Sequence, residues 1–473
     1  MKEEHLGNSQ QSLVSNNEDQ VVPAKTLVQY IAASAAALGI LASGMTLGWT
    51  SPAGDNGKNL QSLYGINISS EEFSWISAIA PVGATLMCIP TGILADTIGR
   101  KYSMLLMVVP FTIGWLLIIC ANSVLMFCVG RFINGLCGGA FCVTVPIYIA
   151  EIAESNIRGT LGSFFQLHIT VGIFITYVLG SIVNMRILSI ICAIMPLIFF
   201  GTFMFMPESP IYYLKKGDVD SARKSLIRLR GVQYNVENEL QSHKDALVEN
   251  NTNTTPFWTV LKSKATVKGF IIAYGLMFFQ QMCGVNVVVF YADSIFEKAG
   301  SALKSDYSAM IVGAIQIVAV CVSTLVVDRA GRRILLLTSI IFLCLTTCAL
   351  GIYFYLLQIN EDVSTIRWLP LASICIFIIM FNVGFGPLPW MMTGEIFPAE
   401  VKGVAASSAC FLNSALVFVV TKYFSNVSQI IGVGETFWLF SVVCAIGTVF
   451  VYLLVPETKG KTLEEIQREL NGS

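Results

Sequence analysis

The sequence predicts an all-α membrane protein, with twelve transmembrane helices arranged as two pseudo-symmetric six-helix halves. Three observations carry that expectation. The 473-residue chain is 55% apolar and only 12% charged, with a mean hydropathy of +0.69; soluble domains average about 25% charged residues. Apolar runs of about 20 residues, enough to cross a hydrocarbon core about 30 Å thick, come as six, a polar break, and six more. Charged signatures at the ends of these runs return near half the chain length. The net charge of −1 leaves no electrostatic footprint for nucleic acid.

Taken in order, residues 1–26 are polar and lack the charged-then-apolar pattern of a signal peptide. They read as a cytosolic tail. The first half, 27–206, holds runs near 27–50, 73–95, 103–121, 125–150, 159–181 and 187–206. The second half, 267–456, holds runs near 267–292, 307–327, 334–357, 368–392, 404–424 and 436–455. With both termini inside, the cytosolic segments hold 22 of the 29 Lys and Arg residues, as the positive-inside rule requires. Between the halves, 207–266 is polar and places Arg223, Lys224, Arg228 and Arg230 among Leu226, Ile227 and Leu229. That pattern reads as amphipathic helix on the cytosolic face, acting as a linker or as a latch. Residues 457–473 form a second cytosolic tail.

The internal repeat is the strongest organisational signal. Asp96-Thr-Ile-Gly-Arg100-Lys101 returns 232 residues later as Asp328-Arg-Ala-Gly-Arg332-Arg333. Glu151 with Arg158-Gly159 returns 244 residues later as Glu395 with Lys402-Gly403, and Pro207-Glu208-Ser209 returns 249 residues later as Pro456-Glu457-Thr458. A duplicated six-helix unit suits a carrier whose halves rock around a midplane site. The charges then read as a cytosolic gate of Asp96, Arg100, Glu151, Arg158, Asp328, Arg332, Arg333, Glu395 and Lys402. The pairs would be Asp96 with Arg100, Glu151 with Arg158, and their equivalents; the alternative is that these charges anchor loops at the headgroups. Arg131, inside the fourth run, needs a partner because an intramembrane charge is costly, and Glu395 is the expected one.

These residues resemble the sugar porter family of the major facilitator superfamily from about 27 to 470. The matching pieces include Gly92-Ile-Leu-Ala-Asp96 through Lys101, Gly130-Arg131, Pro146-Ile-Tyr148-Ile-Ala-Glu151, Pro207-Glu-Ser-Pro210, Gln280-Gln281 with Gly284 and Asn286, Gly386-Pro-Leu-Pro-Trp390, and Pro456-Glu-Thr-Lys-Gly460. Trp49-Thr-Ser-Pro-Ala53 and Gly394-Glu-Ile-Phe-Pro398 carry a narrower likeness to insect trehalose facilitators and their glucose-carrier relatives.

A sugar ring needs amides that both donate and accept, beside an apolar plane. Gln166, with Ile169 on its face, Gln280, Gln281, Asn286, Trp390 and Asn413 supply these groups inside apolar runs, with Gly284 allowing a local break. Interhelical hydrogen bonding is the other reading. The resemblance implies sugar contacts at Gln166, Gln280, Gln281, Asn286 and Asn413, an extracellular plug at Phe290 and Tyr291, and flexing where Gly384–Pro389 interrupts the tenth run. His168 reads as structural. Asn382 stands where many glucose facilitators carry Glu, Ser414 where several carry Trp, and Lys402 where Arg is usual. The first two departures leave room for a sugar larger than glucose, such as trehalose, while a hexose remains the alternative.

Proton-coupled members carry an acid in the first span after a Gly-aromatic pair. This chain reads Gly48-Trp49-Thr50, with no Asp or Glu between Lys25 and Asp55, so facilitated diffusion is expected ahead of proton symport. Thirteen cysteines lie in apolar runs without a zinc or redox spacing. His5, His168 and His243 supply no nucleophile–base pair. No metal, cofactor, enzymatic activity or obligate protein partner is expected; the partners are a sugar and the lipid bilayer. Asn67 and Asn426 head glycosylation triplets on the outside, and the plasma membrane is the expected location.

Overall fold

The computed structural model describes residues 24–154, 156–252, 261, 263–300, 304–461 and 463–471. Every described regular element is helical. In the first half these are α1 (Leu27–Gly48), the short α2 (Lys58–Tyr64), α3 (Ser70–Ile98), α4 (Arg100–Leu106), α5 (Val108–Ile119), α6 (Val124–Ile152), α7 (Arg158–Ile182) and α8 (Met185–Phe203). The polar break forms α9 (Pro210–Lys215), α10 (Val219–Arg230) and α11 (Val236–Thr252). The second half runs α12 (Lys264–Met282), α13 (Val285–Ala299), α14 (Ser305–Ala330), α15 (Arg332–Gln358), α16 (Leu369–Val383), α17 (Leu388–Ile396), α18 (Ala399–Ile431), α19 (Val433–Leu454) and the terminal α20 (Leu463–Asn471).

Eleven helical segments are long and apolar enough to cross a membrane. In the twelfth, α14, the apolar stretch among described residues is Tyr307–Ser323. Local chemistry explains several boundaries. Ser69 and Glu72 form a reciprocal capping box at the start of α3, satisfying two of the orphan amides of a helix end. Cys283 and Gly284, the latter at φ +91°, divide the seventh span into α12 and α13. Gly384 to Pro387 divide the tenth into α16 and α17.

Packing repeats between the halves. The second and fourth spans pair as do the eighth and tenth; the first and fifth pair as do the seventh and eleventh; the third and sixth pair as do the ninth and twelfth. Small residues permit the close approach that drives association in lipid. A Cβ at Gly135 of α6 would stand 2.0 Å from the Ala80 carbonyl oxygen, and one at Gly172 of α7 would stand 2.3 Å from that of Leu41. The halves meet along two seams, α3 against α18 and α7 against α14.

The α9–α11 segment folds over its own small core of Leu214, Ala222, Leu226, Val236 and Leu240 and docks on the first half. Buried Arg230 donates to Glu239 Oε1 at 2.6 Å and to the Ile152 carbonyl at 2.8 Å. The Arg230 carbonyl accepts from Lys25 N–H at 2.8 Å.

Candidate functional site

The bundle has a terminal end, where residues 24–26 and α20 lie, and a far end. At the far end the halves are sealed. Tyr177 donates from α7 to the Val289 carbonyl of α13 at 2.6 Å. The Asp293 N–H donates to Ser51 Oγ at 3.2 Å, and Asp55 accepts from Ser294 at 2.7 Å and pairs with Lys298 at 3.1 Å. Lys58 pairs with Glu297. Buried Lys422 of α18 donates to Ser74 Oγ of α3 at 2.7 Å and stands 4.6 Å from the Trp75 ring centre. Phe290 and Tyr291 are buried within this seal. Tyr291 leaves helical geometry at φ −123°, ψ 19°; its ring lies 6.3 Å from that of Phe73, and its hydroxyl donates to the Thr421 carbonyl.

Toward the terminal end the seams part. Cys88 and Cys410 still touch across the α3–α18 seam, sulfur to sulfur at 3.4 Å. Nearer that end, a Cβ at Gly92, Gly159, Gly162 or Gly403 would meet nothing within 4 Å. The charges here pair within each half. Arg100 is 3% exposed; its Nη2 lies 2.9 Å from Glu151 Oε1 and 3.0 Å from Asp96, and its Nε lies 2.9 Å from Glu151 Oε2. Ser209 donates to Glu151, while Glu208 accepts from the backbone N–H groups of Arg100 and Lys101 at 3.1 and 2.9 Å. The second half copies this arrangement. Arg332 meets Glu395 at 3.3 Å, Thr458 donates to Glu395 at 2.6 Å, and Glu457 accepts from Arg332 and Arg333 N–H at 2.9 and 3.1 Å.

The two capping carboxylates differ in setting. Burial pushes Glu208 above the ordinary glutamate value, although three backbone N–H groups oppose it. At Glu457 burial also pushes upward, but the N–H groups of Lys459, Arg332 and Arg333 prevail and hold it low. Glu208, Ser209, Glu457 and Thr458 were not among the expected gate residues. Their signal was already present in the 249-residue repeat.

Two expected gate contacts are corrected. Glu151 pairs with Arg100, not Arg158. The sixth helix ends at Ile152, and the following turn carries Arg158 onto α7, where it is exposed and reaches only the Ala153 carbonyl at 3.5 Å. Arg131 is neither at the terminal end nor paired with Glu395. It lies fully buried two turns from the far end of α6 and donates to the carbonyls of Thr46 and Ile76, with Trp49 stacked 5.4 Å away. Thr46 is among the last carbonyls of α1, so the guanidinium caps a helix C-terminus. Arg333 donates to the Tyr452 carbonyl. The side chains of Asp328 and Lys402 lie outside the described residues.

Midway along the bundle the amides gather. Asn286 donates to Gln281 Oε1; Gln281 donates to Gln280 Oε1 at 3.3 Å; Asn413 donates to the same oxygen at 2.6 Å. Gln280 Nε2 donates to the carbonyls of Phe385 and Gly386 at 2.7 and 2.9 Å. Three helical segments thus converge: the break between α12 and α13, α18, and the break between α16 and α17. Gln166 and Ile169, both half-buried, lie across on α7, whose neighbouring Thr170 bonds back to its own helix. Gln316, buried on α14 opposite α7, is a further amide that sequence reasoning passed over; it is the only amide in the 307–327 run. Trp390 is 43% exposed. Asn382 is buried and donates to the Ile378 carbonyl of its own helix. His168 bonds the Phe164 carbonyl at 2.8 Å. Asn67 is exposed, whereas Asn426 is half-buried inside α18.

A family model described as sugar (and other) transporter matches residues 7–470. A facilitated trehalose transporter of Bombyx mori is 39% identical over 442 residues, covering 93% of this chain and 86% of that protein. One of Polypedilum vanderplanki is 38% identical over 454 residues, covering 95% and 89%. Among solved structures, a proton:xylose symporter bound to 6-bromo-6-deoxy-D-glucose matches with TM-score 0.75 and 23% identity, covering 94% of this chain and 100% of that one. A partially occluded, inward-open xylose transporter from E. coli matches with TM-score 0.77 and 23% identity, covering 92% and 99%. These structures share the fold. The duplicated bundle, its paired charge networks and the match along nearly its whole length identify the chain as a multi-pass member of the sugar transporter family.

Proposed function

We propose that the protein is a uniporter that moves trehalose down its gradient by alternating access across the plasma membrane, with both termini cytosolic. The observation that carries this reading is the amide cluster of Gln281, Asn286 and Asn413. It lies between a sealed far end and a parted terminal end, as a carrier caught open to one side requires. These amides and Gln166 would bond sugar hydroxyls, with Ile169 and Trp390 against the apolar ring face. Phe290 and Tyr291 would form the plug that opens when the halves rock. The Arg100–Glu151 and Arg332–Glu395 networks would set the helix ends that meet when the cytosolic side closes. Residues 207–266 would act as a linker held to the first half, between the spanning halves 27–206 and 267–456. Asn67 is the better-placed glycan acceptor.

The trehalose assignment is supported by the names of the insect relatives and by Asn382 and Ser414 at positions where glucose facilitators carry larger groups. Uncoupled transport is supported by Thr50 at the place where coupled members carry an acid. Asp55 and Asp293 belong to the far-end seal, while Glu151 and Glu395 are committed to arginines at the terminal end. The test is initial-rate uptake of labelled trehalose by cells expressing the protein, with and without a protonophore. Saturable uptake indifferent to the protonophore is the expected result. Surface-expressed protein that carries glucose but not trehalose would replace the substrate, and uptake abolished by the protonophore would replace the uncoupled mechanism.

A further inference from the structure

We propose that Gln280 is a positioning residue that couples occupancy of the site to the bend of the tenth span. This rests on the reading of the amide cluster as the sugar site. A broken helix inside a membrane must find donors for the carbonyls it frees. Phe385 would ordinarily receive the N–H four residues on, but that residue is Pro389, which has none. Gln280 supplies the missing donor at 2.7 Å and holds the next carbonyl, Gly386, at 2.9 Å. On another side of the break, Ser339 of α15 donates to the Met380 carbonyl at 2.7 Å and accepts from Phe385 N–H at 3.2 Å. The interruption is held by two side chains from two other helices.

Gln280 has no hydrogen-bonding capacity left over. A primary amide has two N–H donors and an oxygen with two lone pairs. Both donors serve the break, and the oxygen accepts from Asn413 and Gln281. The opposite orientation of the amide would set its oxygen against two carbonyl oxygens, so the N–H groups must face the tenth span. A sugar hydroxyl that engages Asn413 or Gln281 competes for hydrogen bonds that end on Gln280. Gln280 is in turn the anchor of α17, so binding is felt at the bend without the sugar touching the tenth span. Ser339 has no such link to the amides; it holds the break and nothing more.

The test is amide hydrogen exchange of residues 384–388 in the full-length protein, purified with and without saturating trehalose. Wild type, Gln280→Met and Ser339→Ala are compared; the methionine keeps length and removes hydrogen bonding. Without sugar, both variants should exchange about tenfold faster, the effect of losing about 1.4 kcal/mol of hydrogen bonding at a locally opening segment. Added trehalose should change exchange at 384–388 in wild type and in Ser339→Ala. It should leave Gln280→Met unmoved, a difference that simple loosening of the break does not produce. The proposal is overturned if sugar-free Gln280→Met exchanges like wild type, whatever happens to its uptake. It is equally overturned if trehalose leaves exchange at 384–388 unchanged in a wild-type protein that transports it. Failure of wild type to transport trehalose is a separate result, which counts against the substrate reading; the sugar-free comparison still decides the anchoring role.

Discussion

Glu151→Gln should destabilise the protein far more than Asp96→Asn, although both acids face the same arginine. Arg100 is 3% exposed and Glu151 12%, with two N···O approaches of 2.9 Å; Asp96 is 60% exposed and offers one approach at 3.0 Å. Removing one partner of a buried pair costs about 3–5 kcal/mol. The surviving Asp96 and the acceptor retained by glutamine reduce that cost to about 2 kcal/mol. Removing the exposed Asp96 costs about 0–1 kcal/mol. The equivalent Glu395→Gln breaks a single 3.3 Å contact between groups 14% and 30% exposed and should fall between them, at about 1 kcal/mol. The assay is unfolding of the purified protein in detergent, with midpoint shifts converted through the enthalpy measured on the same sample. A cycle with Arg100→Met should return a coupling of about 2 kcal/mol for Arg100 with Glu151. An Asp96→Asn cost equal to that of Glu151→Gln, or a coupling near zero, would refute the reasoning from burial and geometry.

The two capping glutamates should show opposite pH signatures. The folded pKa of Glu208 is raised, so its contribution is complete below the ordinary value of 4.5 and fades as pH rises through the folded value. The folded pKa of Glu457 is lowered, so its contribution is present above 4.5 and fades as pH falls through the folded value. Melting curves of Glu208→Gln and Glu457→Gln against pH should therefore diverge from wild type in opposite directions. Tyr177→Phe removes a 2.6 Å tie across the far end worth about 1 kcal/mol; spin labels at 66 and 300 should report about a fivefold loss of the sealed state relative to the open one. Gly135→Leu drives a side chain into the Ala80 carbonyl, 2.0 Å from its Cβ, and should cost 3 kcal/mol or more, about the upper range for overpacking, read as loss of folded yield.

The spans were legible because length and apolarity are enough to define them, and the two helix breaks were legible because Gly284 and the Gly384–Pro389 cluster cannot continue a helix. Pairings were harder. Glu151 and Arg158 are seven residues apart, two turns on a continuous helix, but the turn at 153–157 ends that geometry. Arg131 was known to lie in a span, and counting from the Val124 entry would have placed it near the far end. Its partners are backbone carbonyls, which carry no sequence mark. The engagement of Gln280 with Phe385 and Gly386 depends on how the tenth helix breaks, and no pattern of residue types encodes that conformation.

The buried Arg131 has an electrical consequence. Among the described residues no carboxylate pairs with it, so the first half carries a fixed positive charge within the membrane field. A charge crossing the full field feels about 2.3 kcal/mol per 100 mV. Arg131 is tied to α1, α3 and α6 alike, so it travels only as far along the membrane normal as its half tilts. The arginines of the terminal end move together with the acids they pair with and carry little net charge. A neutral sugar should thus be carried at a rate that responds weakly to membrane potential, and a cell could load or unload it through this protein without drawing on its voltage.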